Sequence, residues 1–285
     1  ELLEQRNIGK QLDSQIRGEA LSLIQRDLDS MQLMLREKDK QNDSYKTLLE
    51  TIIKTCVENR GRLVIPAFSV GRTQEIIYAL NRLEIDKQLP DIDVFVDSPL
   101  SVEATRVVAE HNECFNQNFL NYMQRDPQPF AFKRLHYITE VEDSIQLNER
   151  KEPCIIISAS GMADAGRVKH HIRHVINHDK NTILIIGYCE PESLGGKLMR
   201  GEKEVSIWGV PFEVKASVVV MKTMSAHGDY KDLLRFISTA GEHKPKQLFL
   251  VHGEYEVQQD FKQKLEVKGY SNVVIPAMHQ SFQLS

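Results

Sequence analysis

Apolar positions recur at two different spacings along this chain, and the switches between them lay out its elements. In the charged, proline-free segment 1–50, Leu12, Ile16, Leu23, Ile24, Leu28, Met31 and Leu35 fall at roughly helical spacing, so an amphipathic helix is expected. Glu37 to Ser44 is strongly polar and reads as a loop or helix end. Tyr45 to Glu58 is helical, with Leu48, Ile52, Ile53 and Cys56 or Val57 on one face. From Gly61 the period changes. Leu63 to Ala67, Ile92 to Val96, Cys154 to Ser158 and Thr182 to Gly187 are short apolar runs, the pattern of buried strands. Each ends in a small or polar turn. Helical spacing resumes after Ser69, running to about Leu83, and again from Leu100 to about His111, after Arg167, and after Leu194-Gly195-Gly196-Lys197. Residues 112–150 are mixed. Glu204 to Val220 is expected as a hairpin turning at Gly209-Val210-Pro211. Lys246 to Val251 and Asn272 to Ile275 are further strands, with a helix from Tyr255 to Lys268 between them. Strands alternating with helices predict an α/β fold with a mainly parallel sheet.

Composition narrows the class without naming it. The chain has 285 residues, 41% apolar and 27% charged, enough for one large or two modest soluble domains. The net charge of −4 removes any global basic signal, so a nucleic-acid partner needs a local basic groove. No apolar run reaches membrane-spanning length, and the polar stretch Glu1 to Lys10 gives no sign of a signal peptide. Cys56, Cys114, Cys154 and Cys189 are far apart and form no CxxC. They are expected as free thiols in a reducing cytoplasm.

Chemistry-bearing residues gather at the strand ends. Helix N-termini there favour anions, and Ser69 to Arg72, Ser98 and Ser158 to Arg167 are placed to cradle phosphates. Ordinary tight βα turns explain any one of these segments. Three of them, two with an arginine (Arg72, Arg167), shift the balance toward a polyanion. His170, His174 and His178 recur at helical spacing beside His171. A solvated helix face is the expected reading, because no HExxH or partner carboxylate accompanies them. Asp97 ends an apolar strand, and either it or Asp229 is placed to orient a histidine. An Asp-Ser-Pro turn and a helix N-cap explain the two aspartates equally well. His227 and His252 each sit where an element meets a glycine-containing turn. Each is a candidate metal ligand or proton carrier, or a core histidine bonded to backbone.

Five segments, in order, resemble the β-CASP branch of the metallo-β-lactamase superfamily, over roughly residues 36–285. They are Ile65-Pro66-Ala67-Phe68-Ser69-Val70-Gly71-Arg72-Thr73-Gln74-Glu75, Asp97-Ser98-Pro99-Leu100, Ser158-Ala159-Ser160-Gly161-Met162, Ser225-Ala226-His227-Gly228-Asp229-Tyr230 and Leu250-Val251-His252-Gly253-Glu254. The family includes the nuclease subunit of the cleavage and polyadenylation machinery, its bacterial and archaeal relatives, and RNase J. The resemblance implies a parallel α/β β-CASP domain at 36–225 and the C-terminal part of an αββα-type hydrolase domain at 226–285, after an atypical segment 1–35. It implies zinc-dependent phosphodiester hydrolysis on single-stranded RNA, with two zinc ions in the intact family, no membrane partner, and a homodimer as a compatible state. His227 matches the histidine that assists catalysis, as general acid, and His252 a zinc-ligating histidine. Arg72, Ser69, Ser98, Ser160, Gly161, Met162 and Arg167 fall on the substrate side.

The departures are equally specific. The HxHxDH segment that supplies most zinc ligands does not occur, and Asn7 stands where relatives carry a metal-bridging aspartate. Asn is a poorer zinc ligand. The chain is therefore expected to be the second half of such an enzyme and to hold zinc weakly. A reading of another class is a non-catalytic RNA-binding or scaffold subunit. That reading predicts loss of the late histidines, yet His227 and His252 both remain.

Overall fold

The structure, a computed structural model, describes residues 43–221, 228–239 and 245–283. Asn7, His227 and the segment 1–35 lie outside the described residues. A helix over residues 43–52 runs into a π-helical stretch, Ile53–Glu58, and the two together are α1. β1 (Arg62–Pro66), α2 (Arg72–Ile85), β2 (Asp93–Asp97) and α3 (Pro99–Glu110) follow. Next come α4 (Gln117–Met123), β3 (Leu135–Ile138), α5 (Val141–Glu149) and β4 (Cys154–Ser158). Then come α6 (Arg167–Val175), β5 (Thr182–Ile186) and α7 (Leu194–Met199). A hairpin of β6 (Glu204–Ile207) and β7 (Val210–Glu213) leads to β8 (Ser217–Met221).

Six strands form one sheet in the order β3-β2-β4-β1-β5-β8. Every pair in it is parallel, with Val64 opposite Ile156 and Val94 opposite Ile155. Successive side chains point to opposite faces. Leu63, Ile65, Ile155 and Ile157 join α1 and α2 in one core. Val64, Ile156, Ile183 and Ile185 join α6, α7 and the hairpin in the other. Both faces being covered is why the central strands are unbroken apolar runs. β1 and β2 hand the chain to helices on the first face, whereas β4 and β5 hand it to the second. In the order β2-β4-β1-β5 the connections thus alternate between faces. A crevice opens at such carboxyl ends, which is where open α/β sheets bind ligands.

Two sequence expectations change. The mixed region 112–150 holds α4, β3 and α5. β3 is an edge strand with His136 and Tyr137 exposed, and α5 turns Ser144 inward together with Leu147, so neither shows an apolar period. The hairpin expected over Glu204 to Val220 ends at Glu213. Its turn is Trp208-Gly209, with φ of 52° and 78°, and not Gly209-Val210-Pro211. The N–H groups of Lys215 and Ala216 both donate to the Ile176 carbonyl at 2.9 Å. That contact redirects the chain into β8, which pairs with β5 at the sheet edge.

The chain divides into two units, 1–225 and 226–285. In the second, α8 (Tyr230–Ser238) and α9 (Tyr255–Val267) accompany a two-stranded parallel sheet of β9 (Leu248–Phe249) and β10 (Val273–Val274). Its small core is Leu265, Tyr270 and Val273, with Leu234, Ile237 and Phe261 against it. The β9 residues are only half-buried, not enclosed on both faces as their apolar run predicts. Phe236 and Val251 are 76% and 68% exposed, so this unit leaves much apolar surface uncovered among the described residues.

Candidate functional site

The loop after β1 is held by the helix it opens. Gly71 has φ of 83°, which favours glycine. Its N–H donates to Gln74 Oε1 at 2.7 Å, while Gln74 Nε2 donates to the Ser69 carbonyl at 3.1 Å and to Thr105 Oγ1 at 2.8 Å. Thr73 Oγ1 donates back to the Phe68 carbonyl at 2.8 Å. Ser69 Oγ lies 3.4 Å from Ser98 Oγ, at the end of β2. Ser98 also caps α3, accepting from the Ser101 N–H at 3.2 Å. The loop after β4 approaches the same place. A Cβ on Gly161 would sit 2.8 Å from the Phe68 ring, so any larger residue there would have to displace that ring where the two loops touch. The Met162 carbonyl accepts from the Gly195 N–H at 2.9 Å, tying this loop to α7. Ser69, Ser98, Ser160, Gly161 and Met162 thus come from loops gathered at one edge of the sheet.

Beneath this edge lies a polar cluster that the sequence did not reveal as a unit. Asp97 is fully buried at the end of β2. Its Oδ2 faces His171 Nε2 at 2.6 Å and accepts from Ser144 Oγ, and its Oδ1 accepts from Arg167 Nη1 at 2.7 Å. The second nitrogen of His171 faces Asn148 Oδ1 at 2.9 Å. Burial alone would push the Asp97 carboxyl up. Hydrogen bonds from His171, Ser144 and Arg167 outweigh burial and hold it below the usual carboxylate range. Ser158 Oγ donates to the Asp97 carbonyl at 2.7 Å, joining the ends of β2 and β4. His171, read from sequence as the neighbour of a solvated histidine face, is buried, while His170 and His174 on the same helix are exposed. Ser144 and Asn148 carried no signal, because short polar side chains on a helix look like surface.

The two arginines are already engaged. Arg167 Nη2 donates to the Thr139 carbonyl at 2.7 Å in addition to its Asp97 contact. Arg72, at the start of α2, pairs with Glu75. The N-terminus of α7 is satisfied internally: Leu194 N–H by Asp164 Oδ1 at 2.7 Å, and Gly196 N–H by Ser193 Oγ at 3.0 Å. What the edge offers an incoming anion is therefore hydroxyls more than bare helix ends, with both guanidinium groups already bound to protein partners. Burial pushes the thiols of Cys56, Cys154 and Cys189 up, to about 12, 11 and 11. They are free and buried, as the sequence predicts.

In the second unit, His252 follows β9 with φ of 64° and is exposed, and Gly253 continues the turn with φ of 128°. Asp229 caps α8, accepting from the Lys231 and Asp232 N–H groups at 2.8 and 3.1 Å. Among the described residues no group of three or more His, Cys, Asp or Glu is placed to hold a metal ion. His252 is the one expected donor within them. The described residues therefore do not by themselves make a zinc centre, which needs about three protein ligands.

Comparison with known proteins meets this geometry segment by segment. The family model of the Beta-Casp domain matches residues 73–198, spanning the crevice loops after β2, β4 and β5. The model of the Zn-dependent metallo-hydrolase RNA specificity domain matches residues 211–276. An RNase J-like protein of Methanocaldococcus jannaschii is 32% identical over 73% of this chain and 47% of its own. Transcription termination factor FttA of Methanosarcina mazei is 26% identical over 79% and 37%. Ribonuclease TTHA0252 of Thermus thermophilus is 28% identical over 75% and 48%. The chain matches less than half the length of each of these relatives. No helix among the described residues is long and apolar enough to cross a membrane. With its parallel sheet, its glycine-dependent loop contacts and both domain matches in chain order, this chain belongs to the β-CASP branch of the metallo-β-lactamase superfamily.

Proposed function

We propose that this chain acts on single-stranded RNA as part of a zinc-dependent processing nuclease that hydrolyses phosphodiester bonds. The observation that carries this reading is the convergence of the Ser69, Ser98 and Ser160–Met162 loops at the carboxyl edge of the sheet, in a chain whose relatives include a protein named as a ribonuclease. In this reading Ser69, Ser98, Ser160, Gly161, Met162 and Arg72 seat the RNA backbone. Arg167 acts through Asp97, fixing the loops that do so. His227 is the general acid to the leaving oxygen and His252 a zinc ligand, with Asn7 at the position of a family aspartate. Zinc supplies the activated hydroxide in such enzymes. Among the described residues, His252 is the one expected donor to such a centre. Homodimerisation belongs to the same proposal.

Phosphate contacts made by arginine and backbone are salt-sensitive and carry no sequence preference. Binding of a dye-labelled single-stranded RNA, followed by fluorescence anisotropy, is expected to weaken as salt rises. In Arg72→Ala the dependence of log K on log salt is expected to flatten by about 0.7, the contribution of one phosphate contact on a single strand. Binding that ignores salt contradicts the proposal.

A further inference from the structure

One surface of the first unit is not accounted for by the crevice. α6 (Arg167–Val175) holds no acidic residue. Val168, His171, Ile172 and Val175 face the core, which leaves Lys169, His170, Arg173 and His174 on the outward side. Lys169 and Arg173 are one helical turn, about 6 Å, apart. The β6–β7 hairpin lies along this face. Trp208 packs against His170 with ring centroids 4.5 Å apart and the ring planes tilted by 48°, and Lys169 Nζ lies 5.4 Å from the Trp208 ring centre. Farther along, Arg173 lies 6.0 Å from the Phe212 ring. Of the nearby acids, Asp164 Oδ1 accepts from the Leu194 N–H and Glu213 pairs with Lys215 at 3.0 Å, while Lys169 Nζ donates to the Asp164 carbonyl at 3.2 Å. Partial burial, with the neighbouring His171, His174 and Arg173, holds His170 below the usual histidine range.

Trp208 is costly where it stands. It occupies the first position of a two-residue hairpin turn at φ 52°, followed by Gly209 at φ 78°. That turn type favours Asn-Gly, and a bulky residue in the left-handed region is an outlier. Local preference therefore argues for asparagine, yet the chain places its single tryptophan there, 49% exposed. An outlier of this kind points toward function more than stability. Aromatic rings interleaved with cations are the means by which proteins hold single strands, the rings stacking on bases and the cations tracking phosphates.

The geometry points to a track for single-stranded RNA along α6 and the hairpin, outside the crevice, with Trp208 stacking on a base and Lys169 and Arg173 contacting the backbone. α6 begins at Arg167, shortly after the Ser160–Met162 loop in the chain, and the track is proposed as the path of a strand that leaves the crevice past that loop. The inference rests on the proposed action on RNA and adds where the strand runs next.

The single tryptophan makes the test direct. A dye-labelled oligouridylate, long enough to extend beyond the crevice, is titrated into the full chain while anisotropy and intrinsic tryptophan emission are followed separately. Emission is expected to be quenched in step with binding. Trp208→Asn should weaken binding about ten-fold, without lowering the melting temperature, because asparagine suits the turn. A Lys169→Glu/Arg173→Glu variant should flatten the salt dependence by about 1.4, two phosphate contacts. Salt-sensitive binding with unchanged emission and wild-type affinity in both variants would overturn the track and leave the crevice reading standing. Equal quenching by duplex RNA would overturn base stacking. No binding of any RNA at low salt would overturn both readings.

Discussion

Asp97→Ala is expected to lower stability by about 3–5 kcal/mol, the cost of breaking a buried charge pair and leaving its partners unsatisfied. The carboxylate is fully buried, and it joins α6 through His171 and Arg167 to α5 through Ser144. Removing it strands an arginine and a histidine at the base of the candidate site. Asp97→Asn keeps the volume but removes the charge, and is expected to be nearly as damaging. The pH dependence follows from the direction of the shift. The folded-state carboxyl lies below its ordinary value of 3.8, so folding favours the ionised form. This stabilisation is fully present above 3.8 and is lost as pH falls through the lower, folded-state value. Urea unfolding of the wild type and Asp97→Ala should therefore show a constant gap near neutrality that narrows only in strong acid. A gap below about 1 kcal/mol at pH 7 would mean that the cluster behaves like an exposed ion pair.

The second large effect separates the two late histidines. In a form of the enzyme that cleaves RNA, His227→Ala is expected to lower turnover by about 10²–10⁴-fold, the contribution of a general acid. Its effect should fall on kcat with zinc content unchanged, because protonating the leaving oxygen matters only in the transition state. His252→Ala is expected to lower zinc content and turnover together. Single-turnover cleavage of end-labelled RNA beside metal analysis of each variant distinguishes them. Equal zinc loss in both would show that the division of roles is wrong.

How much of this was legible in the sequence depended on how each residue is buried. β1, β4 and β5 were plain because strands covered on both faces must be apolar throughout, as Leu63-Val64-Ile65 and Ile155-Ile156-Ile157 are. The crevice loops were legible through residue type: Gly71 suits a left-handed turn, and Gly161 allows a close approach to the Phe68 ring. β3 and α5 were not, since an edge strand with His136 outward and a helix with Ser144 inward break the apolar pattern. The Asp97 cluster was hidden for a different reason. Asp97 comes from β2, Ser144 and Asn148 from α5, and Arg167 and His171 from α6, and only the fold brings these three elements together. Trp208 was missed because proline and glycine drew the expected turn to Gly209-Val210-Pro211, whereas the backbone turns one residue earlier.

The central claim, that RNA lies across the carboxyl edge of the parallel sheet, is tested most directly by photocrosslinking. A 4-thiouridine single strand is irradiated with the chain, and the crosslinked peptides are identified by mass spectrometry. Crosslinks are predicted in the loops after β1, β2 and β4, around Phe68–Arg72, Ser98–Leu100 and Ser160–Met162. The opposite edge carries Arg60, Lys87, Lys151 and Lys180, all exposed, and is the alternative place for a polyanion to land. Crosslinks concentrated at those four residues would contradict the account.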